Sequence, residues 1–276
     1  VNASDPESLV PAVTRAVAIL DTLGEAEGRR LSVSEIARIL GLPKSSTGNL
    51  CASLEAAGMI TRDGAGFGLG RKLVELGGRY LSTVDQVRDF YELCRRTSHV
   101  SRETARVAVL DGLDVLYLAR YDGTQPLRLT ANIGDRFPAN CTATGKAILS
   151  TLNPAAAEDR LRGRTLPALS ERSLTSAPAL LADLARTRER GYAIDDEEAT
   201  PGVVCLAVAV SGFRTDSAMF AISVTVLKAR LDDELRAALL TDLRTIAAGM
   251  ENPMLPPGAR LGGGGAGGRA GNRSGE

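Results

Sequence analysis

The chain has 276 residues, 44% of them apolar and 24% charged, with 33 basic side chains set against 33 acidic ones. That length exceeds what one hydrophobic core usually organises, so two domains are expected, and the zero net charge excludes bulk attraction to nucleic acid or membrane. Four scattered cysteines, none in a Cys-x-x-Cys pair, and a single histidine, His99, argue against a zinc site or a disulfide scaffold.

Val13, Val17, Leu20 and Leu23 predict a first amphipathic helix. Ser32, followed three residues later by Glu35, spells a capping box, so a second helix starts near Val33 with Val33, Ile36, Ala37 and Leu40 on its buried face. Gly41 ends it, and Pro43 suits the first position of the next helix, where a missing amide is harmless. In that third helix Thr47, Leu50, Leu54 and Ala57 face inward, which turns Ser45, Gly48, Asn49 and Ala52 outward. Such a small, polar or neutral face suits close approach to a base-pair edge, with Lys44 and Ser45 placed for phosphates and Asn49 for an adenine. Met59 to Arg62 and Phe67 to Leu69, around Asp63-Gly64-Ala65-Gly66, read as a two-stranded wing, completing the pattern of a helix-turn-helix that enters DNA. The first 80 residues hold nine basic side chains, Arg15 through Arg79, and nine acidic ones, Asp5 through Glu75. The positive footprint that usually accompanies phosphate binding is therefore missing.

From Arg71 to Ser82 the apolar spacing suggests a linker helix with no turn signal before the next helical run, Val87 to Arg96. His99, just beyond it, is expected to be exposed or to cap the helix, which leaves Ser-His and Cys-His schemes without a base. The period then changes. Thr104 to Leu110 and Asp114 to Tyr121 are strands joined by the hairpin signal Asp111-Gly112, and Leu127 to Ala131 reads as a third. Helices follow at Thr142 to Leu152, after Pro154, and from Pro178 to Arg190, the last stopped by Gly191. Tyr192 to Asp195, Val203 to Val210 and Met219 to Val226 supply further strands, the last two linked through Gly212 and Asp216. A final helix buries Leu235, Leu239, Leu243, Ile246 and Met250. Strands early and late with helices between them indicate an α+β domain with an antiparallel sheet. Beyond Pro256 the glycine-rich run has almost nothing to bury and is expected to be disordered. No run approaches the about 20 consecutive apolar residues of a membrane helix and no charged-then-apolar leader opens the sequence, so a soluble cytoplasmic protein is expected.

Two glycine patterns invite nucleotide readings and fail them. Gly64 to Gly70 alternates every second residue, misses the G-x-G-x-x-G spacing and sits in the wing. Thr144-Gly145-Lys146-Ala147 resembles the end of a phosphate loop, but Asn140 stands where its first glycine belongs and Ala147 where the magnesium-binding hydroxyl belongs. No metal or cofactor is expected. A small-ligand pocket fits better: the amides opening the Thr142 helix suit a carboxylate, and Ser223 and Thr225, two apart on one strand, point to one side near Cys205. Each has a plainer explanation too, since strand hydroxyls usually decorate a sheet face and a strand cysteine is usually a small core residue.

These residues together resemble the IclR family of bacterial transcription regulators, from Val13 to Met250. The marks are Thr14-Arg15-Ala16 with Ile19-Leu20, Ile36-Ala37, Gly41 to Ser45, Leu69-Gly70, Gly134 to Pro138, Thr144 to Ala147, Arg188 with Gly191-Tyr192-Ala193, Asp195 to Glu198, Gly202 with Cys205, and Ser223. The resemblance implies an N-terminal winged helix-turn-helix over residues 9–70, a linker helix over 71–83, a GAF-like effector-binding domain over 84–255 and a tail over 256–276. It implies dimers or dimer pairs on an inverted repeat of double-stranded operator DNA, and a small organic or aromatic acid as effector. DNA contacts would come from Arg15, Lys44, Ser45, Ser46, Gly48, Asn49 and Arg62. The effector would sit against Cys141, Ala143, Thr144, Asp195, Cys205, Ser223 and Thr225. An aspartate repels an anion, so Asp195 would offer its backbone amide or accept a ligand hydroxyl. The chain departs from the family at Asn49, where an arginine is usual, at Gly48, where a larger residue is usual, and at Ala209, usually proline. The competing reading is a metabolite-binding protein or enzyme that keeps the fold without sequence-specific DNA binding, which the neutral N-terminal charge would suit.

Overall fold

The computed structural model describes residues 9–64, 66–82, 85–125, 127, 131–210 and 220–250. The chain divides into two compact units, 1–83 and 84–276.

The first unit begins with α1 (Pro11–Glu25), which buries Ala18, Ile19, Thr22 and Leu23. Val13 and Val17, expected inside, are 60% and 37% exposed. Two apolar stripes overlap on this helix, and packing selects the one through Ile19, which meets Leu31, Ile36, Cys51, Ile60 and Phe67 in the unit's core. The second helix, α2 (Val33–Leu40), starts at the Ser32 capping box: the Ser32 hydroxyl accepts from the Glu35 amide at 3.3 Å, and Glu35 accepts from the Ser32 amide at 2.8 Å. Those bonds from Ser32, helped by Arg29, hold the Glu35 carboxyl down to about 2. At the other end Gly41 takes the left-handed conformation, φ 66°. Pro43 is the N-cap of α3 (Lys44–Ala56) rather than its first helical residue, and its carbonyl accepts the Thr47 hydroxyl at 3.1 Å. Cys51, not Ala57, takes the inward position: Cys51 is buried and Ala57 exposed.

The wing is an antiparallel pair, β1 (Ile60–Asp63) with β2 (Gly66–Leu69), in register from Ile60 opposite Leu69 to Asp63 opposite Gly66. Leu31 adds a one-residue bridge, exchanging amide bonds of 3.0 and 2.8 Å with Phe67. The helix α4 (Lys72–Ser82) buries none of its residues and leaves Val74, Leu76 and Tyr80 exposed.

The second unit opens with α5 (Asp85–Arg96). After it the amides of His99 and Val100 donate to Asp242 at 2.7 and 3.0 Å, fixing the chain against the last helix. A six-stranded antiparallel sheet follows, built from β3 (Thr104–Asp111), β4 (Asp114–Asp122), β5 (Arg136–Pro138), β6 (Ala193–Asp196), β7 (Val203–Val210) and β8 (Phe220–Leu227). Its order is β5-β4-β3-β8-β7-β6, with Gly112 at φ 65° turning the β3–β4 hairpin. The three-residue β5, pairing Val115 with Phe137, is an edge the sequence pattern did not signal. The strand expected at Leu127 to Ala131, the Gly212 to Asp216 link and the tail lie wholly or largely outside the described residues.

Strand alternation decides what each face meets. Ile222, Val224 and Val226 of β8 are fully buried on the side where α9 (Asp233–Met250) packs, joined by α5. Ala221, Ser223 and Thr225 face α6 (Ala143–Thr151), whose Ala143, Ala147 and Ile148 pack on Ala193, Ala207 and Ala221. Behind α6 lie α7 (Pro154–Leu161) and α8 (Ala177–Arg190). Every residue of α6 but the last is buried, so this short helix is the unit's central prop and its N-terminus is fixed against the sheet.

Candidate functional site

On α3 the 3.6-residue period leaves Lys44, Ser45 and Asn49 exposed, followed by Ala52 and Ser53, while Ser46 and Gly48 are half-buried. A Cβ on Gly48 would stand 3.9 Å from Val33 Cγ1, an ordinary contact, so packing alone does not demand glycine there. Arg62, exposed on β1, donates from Nε to the Gly64 carbonyl at 3.3 Å and holds its guanidinium 5.4 Å from the Phe67 ring centroid. Arg15 is half-buried on α1, its Nε shut off from solvent.

The alternating glycines of the wing have a packing role. A Cβ on Gly66 would stand 2.5 Å from Arg30 Cβ, and one on Gly68 2.6 Å from Arg30 Nη1. Arg30 therefore lies flat along β2, donating to the Thr61 carbonyl at 3.1 Å and presenting a second exposed cation on the wing. Sequence reasoning passed over Arg30. The signal was the glycine alternation itself, whose every second residue sits on one strand face.

In the second unit, the sheet and the start of α6 line a cavity that opens to solvent. Ala143, Thr144, Asp195, Cys205, Ser223 and Thr225 all line it. Cys141 does not: fully buried, its Sγ lies 3.3 Å from the Pro167 carbonyl, turned away into the neighbouring loop. Among the lining residues missed by sequence reasoning are Arg106, Tyr117 and Phe137. Phe137 arrives on the unforeseen β5 and meets Tyr117 edge to face at 5.9 Å.

The local geometry around α6 is tight. Thr142 caps the helix, accepting the Gly145 amide at 3.1 Å, and a Cβ on Gly145 would fall 2.4 Å from Ala139 Cα, so only glycine lets the incoming chain pass. Thr144 Oγ1 is buried without a hydrogen-bond partner. Lys146, read from the sequence as the remnant of a phosphate loop, points away from the cavity. It is fully buried between two carboxylates, Glu198 at 2.5 Å and Asp183 at 3.1 Å.

Charge in the cavity is sparse and opposed. Arg106 is 5% exposed and donates to the Thr225 hydroxyl at 2.8 Å and the Ala131 carbonyl at 3.2 Å. Asp195 Oδ1 accepts the amides of Glu198 and Ala199 at 2.7 and 3.2 Å, pinning the loop that forms one wall. Burial nonetheless pushes the Asp195 carboxyl up to about 6, against those bonds and the nearby Lys146 charge. Burial also raises the Cys205 thiol and the Tyr117 hydroxyl to about 12, so both are neutral in water near pH 7.

Comparison with known proteins agrees in both units. A sequence model of the IclR helix-turn-helix domain matches residues 12–64, and one of the bacterial transcriptional regulator IclR C-terminal domain matches residues 78–251. The chain is 33% identical over 232 residues to the HTH-type transcriptional regulator XynR of Escherichia coli K12, covering 82% of this chain and 89% of the relative. It is 32% identical over 250 residues to KdgR of the same organism, covering 89% and 94%. An IclR homolog from Microbacterium hydrocarbonoxydans, crystallised with 4-hydroxybenzoate, shares the fold at a TM-score of 0.72 and 21% identity, over 87% of this chain and 98% of that one.

Proposed function

Because the chain belongs to the IclR family of bacterial transcriptional regulators, we propose that its α3 reads an operator while its cavity takes a small organic or aromatic acid. The chain is a regulator with a helix-turn-helix and an effector-binding domain, and its relatives are named regulators and repressors rather than enzymes. The observation that carries the DNA contact is the exposed, nearly uncharged α3 face, with Ser45 and Asn49 open to an approaching duplex. Lys44 at the helix start and Arg62 on the wing flank that face and would hold phosphates, with Ser46 and Gly48 beside them. Arg15, half-buried, would contribute least.

Two copies would act together. Val74, Leu76 and Tyr80 on α4 lie exposed along a helix that buries nothing, and a second copy of the chain would cover them, giving a dimer or a pair of dimers. An effector preferring one arrangement of the C-terminal domains would bias the spacing of the two recognition helices through this linker. The Microbacterium homolog holds 4-hydroxybenzoate, and the same ligand class suits the cavity here, where Ala143, Thr144, Cys205, Ser223 and Thr225 supply hydroxyls, a thiol and the helix start. Among the described residues no helix is long and apolar enough to cross a membrane; a chain working on operator DNA would act in the cytoplasm.

The test is a mobility-shift titration with the full chain and the DNA flanking its own gene. Site-specific, salt-dependent retardation is expected. No shift at low salt, with and without the acid, would overturn the DNA reading in favour of a metabolite-binding protein. Acid binding with operator affinity unchanged would remove the coupling.

A further inference from the structure

Arg30 is held on the wing at both ends of its side chain. At its root, the amide and carbonyl of the next residue, Leu31, are bonded to Phe67 at 3.0 and 2.8 Å, which lays the backbone beside β2. Successive strand residues point to opposite faces and cross-strand partners to the same one. Thr61 and Gly68 therefore share one face of the wing with Asp63 and Gly66, while Arg62 and Phe67 share the other. Arg30 runs across the glycine face until its Nη1 reaches the Thr61 carbonyl at 3.1 Å, and Arg62 stands over the Phe67 ring on the opposite face. The ribbon thus carries one exposed arginine on each side.

The two glycines under Arg30 do different work. A Cβ on Gly66 would meet Arg30 Cβ at 2.5 Å and its carbonyl carbon at 3.3 Å, atoms that the backbone holds in place, so the strands need glycine there to lie together. For a Cβ on Gly68 the nearest atoms are Nη1, Cζ and Cδ of the same arginine, at 2.6, 3.0 and 3.1 Å. That end of the side chain can swing aside. Folding does not ask for glycine at position 68; a guanidinium resting at that spot does. An arginine already lying flat has less rotamer freedom to lose when it meets an anion, and with one donor on Thr61 it keeps the rest of its fork. Its neighbour Arg29 is spent on Glu35 at 3.0 Å, whereas Arg30 meets no carboxylate among the described residues. Asp63, on the same face, lies at the turn end of the ribbon opposite Gly66, so an anion is best received at the Thr61 and Gly68 end.

We propose, resting on the DNA reading above, that Arg30 is a phosphate-binding residue of the wing, positioned by Gly68, and that Arg30 and Arg62 hold phosphates on the two different strands bordering one groove. Cations on opposite faces of a ribbon cannot share one row of phosphates, so the wing stands between two rows. The contact fixes orientation and carries no base information.

Anisotropy titrations of the full chain test this, with the duplex flanking its own gene and an unrelated duplex of equal length as probes, from about 50 to about 200 mM salt. Arg30→Gln should weaken both duplexes alike, by about 10-fold or more, and lower the slope of log affinity against log salt by about one for each bound copy. Arg30→Lys should restore most of that slope, since an ammonium also displaces a counterion. Gly68→Ala should reproduce part of the loss while melting within about 3 °C of wild type. Combined with Arg30→Gln it should cost nothing further, because both changes remove the same contact. An unchanged slope in Arg30→Gln overturns the proposal, and a lowered one in Arg62→Gln then leaves the DNA reading standing. Losses that add in the double variant, or a loss confined to the gene-flanking duplex, overturn it likewise. Wild-type protein that binds neither duplex at low salt removes both.

Discussion

Replacing Lys146 by methionine removes a cation enclosed between Asp183 and Glu198, 3.1 and 2.5 Å away, on a side chain 1% exposed. The two carboxylates then differ in what remains to them. Asp183 keeps Arg186 at 3.2 Å and Arg190 at 3.8 Å, but Glu198 has no other ion-pair partner among the described residues, and its Oε2 is already buried without a hydrogen bond. Breaking such a pair from one side costs about 3–5 kcal/mol because an uncompensated charge stays inside. For a unit of this size that is a fall in Tm of roughly 6–20 °C. The sign of the pH dependence follows. Burial already holds Glu198 above the ordinary carboxylate range with Lys146 opposing it, and losing Lys146 raises it further. A carboxyl raised on folding is destabilising only above its unfolded value, so the deficit of Lys146→Met should shrink as the pH falls from 7.5 toward 5. Adding Glu198→Gln should recover part of the loss at pH 7.5. Thermal melts followed by circular dichroism at both pH values read all three effects. A variant melting within about 2 °C of wild type at pH 7.5 would refute the buried-charge account.

Asn49→Ala should reduce site-specific retardation about 10-fold or more while leaving non-specific binding at low salt unchanged, since base contacts, unlike phosphate contacts, carry sequence information. Asp195→Asn keeps Oδ1 as acceptor for the Glu198 and Ala199 amides, yet removes a carboxyl that burial raises to about 6. Its stability relative to wild type should therefore rise between about pH 4 and pH 6, by at most about 3 kcal/mol, in urea titrations across that range. Gly145→Ala forces a methyl to within 2.4 Å of Ala139 and should lower the melting temperature of the second unit steeply or prevent its folding. Ser32→Ala removes the side-chain half of the capping box while the residue-32 amide still donates to Glu35, and should cost about 1 kcal/mol in the first unit, with NMR titration showing the Glu35 carboxyl moving up from about 2.

What could be read in the sequence was what local chemistry writes locally. Ser32 with Glu35, Gly41 and Asp111-Gly112 each fix a boundary through one or two bonds, and the structure places those boundaries within a residue or so. The first helix misled because Val13 and Val17 extend one stripe while Ala18 and Ile19 extend another, and only the opposing Leu31, Ile36 and Phe67 choose between them. Arg106 was invisible for a different reason. In the run Ala105-Arg106-Val107-Ala108 it reads as the solvent side of an alternating strand, and only α6, some forty residues on, makes that side an interior. Lys146 looked like half a phosphate loop because its true partners, Asp183 and Glu198, are distant in sequence. Cys141 sits two residues from Ala143, yet a 3-10 turn over Ala139–Cys141 sends its thiol to Pro167 instead.

The bland face of α3 has a consequence for life on a chromosome. With Lys44, Arg30 and Arg62 among the exposed cations proposed to flank the duplex, and basic and acidic side chains balanced over the first 80 residues, this regulator would displace few counterions on binding. It would linger little on unrelated sequence, and its hold on the right one would change only shallowly as the ionic strength inside the cell swings with osmotic stress. Fidelity would rest on fit and steadiness on neutrality.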